Sequence, residues 1–138
     1  MLYRIILPIV LSVFSFNVSF AALDKENKDR LELLVNERWN KIIDYDFGSA
    51  YDYETPNYKA VFTKDLYAAQ FSHGVAWELK KIEAIKYDVA SKIATVSVLV
   101  ETRPRNSKGL DATVKTASVE IREKWLHIKG RWWHSSSE

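Results

Sequence analysis

Apolar side chains in segment 24–44 recur every three or four residues, which is the spacing of one buried face of an α-helix. The residues that share this face are Leu31, Leu34, Val35, Trp39, Ile42 and Ile43. Glu26 and Arg30 stand four apart on the opposite side, in the order that favours an exposed ion pair. The pattern predicts one long amphipathic helix that docks on a core through a single stripe.

Two shorter helices are predicted after this long one. The first lies within segment 46–54 and ends before Pro56, because proline disfavours helical geometry for the residue that precedes it. The second begins after Thr63, whose hydroxyl can accept a hydrogen bond from an amide of the first turn. We therefore expect three helices before any long strand.

Beyond Gly74 the pattern changes to strict alternation, which is typical of β-strands. The phase slips near Lys80–Lys81, so the first long strand is predicted to contain a bulge or a sharp bend. Segments 94–101, 114–125 and 131–134 continue the alternation. Helices followed by an antiparallel meander predict an α+β domain, with three helices packed on a strongly bent sheet of about four strands.

The last two strands form an aromatic-rich hairpin around Gly130. Three of the five tryptophans of the chain, Trp125, Trp132 and Trp133, lie within nine positions. So much rigid apolar surface must pack against a helix or line an enclosed pocket.

The N-terminus has the layout of a secretory signal peptide. Arg4 precedes an apolar stretch over 5–16, and small residues at Ser19 and Ala21 predict cleavage after Ala21. The apolar stretch is shorter than the ~20 residues of a membrane span. We expect a signal peptide over 1–21, a single domain over 22–138, and export to a Gram-negative periplasm or the medium without stable membrane insertion.

Charge and cysteine content narrow the functional classes. The chain carries 20 basic and 18 acidic residues, a formal charge of +2, and has no cysteine. This small excess is unlike that of a nucleic-acid-binding protein, so no nucleic-acid partner is expected. Stability must come from packing, since no disulfide can form.

Several features together resemble one known superfamily. The order of elements, and the residues Trp39, Ala50-Tyr51-x-Tyr53-x-x-Pro56 and Trp125 with Gly130-Arg131-Trp132-Trp133, are similar to the nuclear transport factor two-like superfamily. This superfamily has the cystatin-like cone and includes SnoaL-like and ketosteroid isomerase-like proteins, as well as small exported bacterial members. The resemblance implies helices that close one side of a curved sheet around a conical pocket.

That pocket holds a small hydrophobic ligand, hosts acid–base chemistry or is filled with side chains in different members of the superfamily. Isomerase-like members need a carboxylate base and a tyrosine that stabilises an oxyanion. No residue of this chain matches those roles by motif.

The weak catalytic candidates are Asp46, Tyr51 and His73. Asp46 is a possible base, and Tyr51 or Tyr53 could donate a hydrogen bond to a ligand oxygen. His73 lies at a bend where its ring could lean over the pocket. The structural alternative is that the acids cap helix ends, the tyrosines edge the core and His73 is a surface residue.

Aromatic residues supply the ligand-binding candidates, which are Tyr53, Trp77, Trp125 and Trp132. They either line a wall for an apolar ligand or form the hydrophobic core. No metal site and no cofactor are expected, since the three histidines are separated and no glycine-rich phosphate loop or nucleophile elbow is present.

These observations leave three functional alternatives. The first is an exported domain without catalytic activity that binds a small apolar ligand or a partner protein. The second is an isomerase- or dehydratase-like enzyme that uses a pocket acid and a tyrosine. The third is a structural subunit of a cell-envelope complex, in which an exposed sheet face forms a homodimer.

Overall fold

The computed structural model describes residues 20–105 and 116–136. Helices come first in the described chain: α1 (Lys25–Ile43), α2 (Phe47–Ala50), α3 (Pro56–Val61) and α4 (Lys64–Ala68), with a 3₁₀ turn over Tyr51–Tyr53 between α2 and α3. The strands are β1 (Phe20–Ala21), β2 (Val75–Asp88), β3 (Ile93–Pro104), β4 (Ala117–Ile128) and β5 (Arg131–Ser135).

The four long strands form one antiparallel sheet in the order β2-β3-β4-β5, and β1 adds two residues beside the end of β2. The predicted α+β architecture, with N-terminal helices and a meander of four strands, is confirmed. The sheet is not strongly curled, so the strong bend expected from the sequence is absent from the described strands. Two register shifts in β2, between Leu79 and Lys81 and between Ile82 and Ala84, confirm the predicted irregularity near Lys80.

Helix α3 is an addition that the sequence pattern does not predict. Pro56 occupies its first turn, where a proline costs nothing because that amide has no helical partner. The Thr55 hydroxyl accepts a hydrogen bond from the Tyr58 amide and so caps this helix. The predicted cap at Thr63 is confirmed in α4, where its hydroxyl accepts from the Leu66 amide.

The core lies between α1 and one face of the sheet. Alternate residues of β3 are fully buried, namely Ala94, Val96, Val98 and Val100. The α1 stripe packs against them through Leu31, Val35, Trp39 and Ile42. The three- and four-residue spacing along α1 and the alternation along β3 each predict that one face of the element is buried.

The final hairpin closes the sheet beside this core. Lys129 and Gly130 both have positive φ, 50° and 77°, as the two central residues of a tight hairpin turn require. Trp125 and Trp132 point into the core and are 0% and 2% exposed. Strand β4 is described only from Ala117, and the predicted start at Val114 lies outside the described residues.

Residues 1–19 of the predicted signal peptide also lie outside the described residues. Its last two residues, Phe20 and Ala21, pair with Asp88 and Tyr87 of β2. Cleavage after Ala21 therefore stays a prediction.

Candidate functional site

A cleft of about 400 Å³ lies between α1 and the region where β5 ends beside β4. We call it the network cleft, because buried charged side chains form its floor. Its apolar lining comes from Trp39, Ile42, Phe71 and Ile121. Arg122 and Lys124 also line it and are largely exposed. This volume is in the range of small-ligand pockets.

Arg38 supplies the positive charge of the floor. It lies on the buried stripe of α1 between Val35 and Ile42 and is 5% exposed. One terminal nitrogen, Nη1, donates to Glu123 Oε1 at 2.9 Å, and Nη2 donates to the Tyr67 hydroxyl at 3.1 Å. A buried cation persists only when it is paired and hydrogen-bonded in this way.

Glu123 is the first of two buried carboxylates beside Arg38, and it lines the cleft. Its side chain points to the core side of β4, as those of Ile121 and Trp125 do, and it is 4% exposed. Its second oxygen, Oε2, accepts a hydrogen bond from Trp125 Nε1 at 3.1 Å. Both carboxylate oxygens of Glu123 therefore have a donor.

Glu54 is the second buried carboxylate and is fully inaccessible to solvent. The backbone of Glu54 forms a parallel bridge with His134, and the Thr55 amide donates to the His134 carbonyl at 3.0 Å. The Glu54 carboxylate accepts from the Ser136 amide at 3.1 Å and from the Ser136 hydroxyl at 2.9 Å. Residue 54 thus joins the helical segment to the end of β5.

His134 lies between the two carboxylates. Its Nδ1 is 2.6 Å from Glu54 Oε1, and because an ionised carboxylate only accepts, Nδ1 carries the proton of this hydrogen bond. Its Nε2 is 3.9 Å from Glu123 Oε1 and has no hydrogen bond within the described residues. Arg38, Glu54, Glu123 and His134 together form what we call the buried network.

Burial and pairing act on the pKa values of this network in opposite directions. Burial alone would raise the pKa of Glu54, but the hydrogen bond and charge of His134, together with Arg38, hold it below its ordinary value. Burial would likewise lower the pKa of Arg38, and the charges of Glu123, Tyr67 and Glu54 raise it instead. The pKa of Tyr67 is raised to about 12, mainly by burial. Glu54 is therefore ionised, Arg38 charged and Tyr67 neutral at neutral pH.

Two nitrogens of side chains that line the network cleft lack a hydrogen-bond partner within the described residues. They are Arg38 Nε and Trp39 Nε1. Both atoms are shielded from water, and a buried N–H without an acceptor costs about 1–3 kcal/mol. The cleft thus combines apolar walls with side chains that carry buried donors without an acceptor.

The structure places the acidic and tyrosine candidates in structural contacts. Asp46 caps α2 and accepts a hydrogen bond from the Ser49 amide. The Tyr51 hydroxyl donates to the Phe62 carbonyl at 2.6 Å, and the Tyr53 hydroxyl donates to Glu37 at 3.2 Å. Their proposed catalytic or ligand-binding roles remain predictions.

His73 and Trp77 lie together in an aromatic group away from the buried network. His73 is exposed and stacks on Tyr45, and Trp77 packs beside Tyr45 and Phe47. Neither residue contacts Asp46 or Tyr51 among the described interactions, so the structure does not assemble the three catalytic candidates.

Trp125 and Trp132, the other two ligand-binding candidates, are core residues. Trp125 touches the buried network, since it donates to Glu123 and its ring meets the His134 ring edge-on at 5.4 Å. Trp132 packs against Tyr87 and leaves its Nε1 without a partner in the described structure. Whether either residue contacts a ligand stays a prediction.

The described residues contain neither a metal-binding cluster nor a membrane-spanning helix. No three His, Asp or Glu side chains in these ranges are arranged to hold a metal ion. None of the described helices combines the length and apolar character of a membrane-spanning segment.

No protein-family model matches the chain, and no curated protein matches it significantly.

Proposed function

We propose that this protein is a small-ligand-binding domain and that its site is the network cleft. The single observation that carries the proposal is the pair of nitrogens without a hydrogen-bond partner, Arg38 Nε and Trp39 Nε1, on two residues that line an otherwise mainly apolar cleft. A ligand that supplies an oxygen to these atoms recovers the hydrogen bonds that the folded chain leaves unmade.

The charges of the floor indicate the kind of polar group that fits. Arg38 already faces two carboxylates, Glu123 and Glu54, at 2.9 and 3.8 Å. A ligand anion at this depth would meet Glu123, whose charge already balances that of Arg38, so a neutral carbonyl or hydroxyl oxygen is favoured. Trp39, Phe71 and Ile121 favour an apolar body for the remainder of the ligand. We therefore expect a small, mainly apolar ketone, lactone or alcohol.

Membership in the nuclear transport factor two-like superfamily and export from the cytoplasm belong to the same proposal. Membership in the superfamily is supported by the order of helices followed by an antiparallel meander, and by the two register shifts in β2. Export is supported by segment 1–21, in which a basic residue precedes an apolar stretch that is followed by small residues. The ligand would then be met in the periplasm or outside the cell.

The proposal is tested by native mass spectrometry of the protein purified without denaturation, followed by binding of the identified compound to two variants. Ile121→Trp fills the cleft from its wall, whereas Val119→Trp introduces the same side chain on the same face of β4, two residues away. We expect Ile121→Trp to lose binding and Val119→Trp to retain it. Equal binding by the two folded variants would refute the network cleft as the site.

A second candidate function is acid–base catalysis at the same cleft. The specific observation in its favour is the 2.6 Å contact of His134 Nδ1 with Glu54, which fixes the orientation of a cleft-lining imidazole, the side chain most often used for proton transfer. This function predicts turnover of an enolisable ketone that is lost in His134→Gln. Binding without turnover would favour the non-catalytic function.

A further inference from the structure

A second cleft, also of about 400 Å³, lies at the other end of β5 between the start of α3 and the final hairpin turn. We call it the Trp133 cleft. It shares no lining residue with the network cleft. Its lining is Pro56, Asn57, Ile128, Lys129, Arg131 and Trp133.

Trp133 gives this cleft a flat aromatic surface with cations on it. It points away from the core side of β5, because its neighbours Trp132 and His134 are the buried residues of the alternation. The Arg131 guanidinium carbon lies 4.2 Å from the Trp133 ring centroid, and Lys59 Nζ lies 4.7 Å from it. Both distances are within the range of cation–π contacts.

The positive charges at or beside this cleft belong to Lys59, Lys129 and Arg131. Lys59 Nζ donates to the Asp52 carbonyl, and the Asp52 carboxylate pairs with Lys64 instead. Lys59, Lys129 and Arg131 form no ion pair with a carboxylate within the described residues. Lys129 and Arg131 line the cleft beside its apolar wall, and together with Lys59 over the Trp133 ring they attract an anion that carries an apolar body.

We propose that the Trp133 cleft binds a small organic acid with a flat ring, such as an aryl carboxylate. The ring packs on Ile128 and Pro56 beside the edge of Trp133, and the carboxylate accepts hydrogen bonds from Lys129, Arg131 and the Asn57 amide. Arginine suits this role because its planar donors match a carboxylate.

The test follows the indole resonance of Trp133 by NMR while naphthoate or uncharged naphthol is added to the whole protein. Trp133→Phe assigns the resonance. We expect naphthoate to shift it saturably, naphthol to bind more weakly, and added salt to reduce the difference. Equal binding of the two compounds, or no saturable shift with naphthoate, would overturn the proposal.

Two lysine variants provide a matched comparison. Lys129 and Lys92 both have positive φ, 50° and 57°, in the two tight turns of the sheet, and only Lys129 lines the cleft. Lys129→Met should weaken naphthoate binding roughly threefold, as expected for loss of one exposed charge contact, and Lys92→Met should leave it unchanged. A loss of equal size in both variants would mean that general charge, rather than this cleft, binds the acid. Because the two clefts are separate, failure here leaves the network cleft untouched.

Discussion

The Nδ1 atom of His134 lies 2.6 Å from Oε1 of Glu54, although the two residues are 80 positions apart in the chain. This contact fastens the end of the last strand to the end of the 3₁₀ turn, with both side chains inaccessible or nearly so. Since Arg38 and Glu123 adjoin the same pair, one buried network holds α1, β4, β5 and the segment before α3 together.

Replacing Glu54 with glutamine should destabilise the fold strongly. The amide turns one acceptor into a donor, which then faces the Ser136 donors and the His134 N–H inside the protein. Loss of a buried ionic partner typically costs about 3–5 kcal/mol. Urea denaturation should show a loss of this order in Glu54→Gln. The control is Glu32→Gln, in a half-exposed pair with Lys28, where about 0.5 kcal/mol or less is expected. Equal losses in the two variants would contradict the role of Glu54.

The stability of the protein should fall in acid because of Glu54. Its pKa in the folded state is lowered, so its contribution is fully present above the ordinary glutamate value of 4.5 and is lost as pH falls through the folded pKa. Thermal melting from neutral pH downward should therefore show a decline that begins near pH 4.5. Glu54→Gln should show a smaller decline over that range. An identical acid dependence in the two proteins would argue that Glu54 is not ionised in the folded state.

Arg38 and Glu123 should be energetically coupled. Arg38→Met leaves Glu123 buried without its cation, and Glu123→Gln leaves the positive charge of Arg38 only partly balanced. Each single change should cost about 3–5 kcal/mol, while the double variant should cost clearly less than the sum. A double-mutant cycle by urea denaturation measures the difference. Strict additivity would show that the 2.9 Å contact makes no net contribution to stability.

The two glycines nearest the ends of the sheet should respond differently to alanine. Gly130 has φ of 77°, so Gly130→Ala should cost about 1–2 kcal/mol through backbone strain even though nothing lies near the added methyl group. Gly74 lies at ordinary φ with Ser72 Oγ at normal contact distance, and Gly74→Ala should be nearly neutral. Unfolding free energies that rank the two variants in the opposite order would contradict the turn geometry.

Much of the fold could be predicted from periodicity, and the buried network could have been suspected from the same pattern. Arg38 occupies a position of the α1 stripe, and Glu123 and His134 alternate with Trp125 and Trp132 on the core side of their strands. A charged residue in a core phase is costly unless it is paired. These polar residues are exceptions to the apolar pattern, and the exceptions alone would have indicated the site from the sequence.

The remaining features depend on distances that a sequence does not contain. Glu54 meets His134 only because the 3₁₀ turn lies beside β5, and no local pattern specifies this parallel bridge. Helix α3 escapes prediction because Pro56 indicates a break and a helix start equally well. Asp46, Tyr51 and His73 are polar residues near turns, and such residues cap and anchor the backbone as readily as they bind ligands.

The most direct test of the proposed function compares two buried indole N–H groups in one spectrum. Trp39 Nε1 and Trp132 Nε1 both lack an acceptor within the described residues, and only Trp39 lines the network cleft. The ligand is a medium-chain methyl ketone or the compound found by native mass spectrometry. It should move the Trp39 indole resonance and leave that of Trp132 in place. The variants Trp39→Phe and Trp132→Phe assign the two resonances. A ligand that moves the Trp132 resonance alone, or neither resonance while it binds, would contradict the network cleft as the binding site.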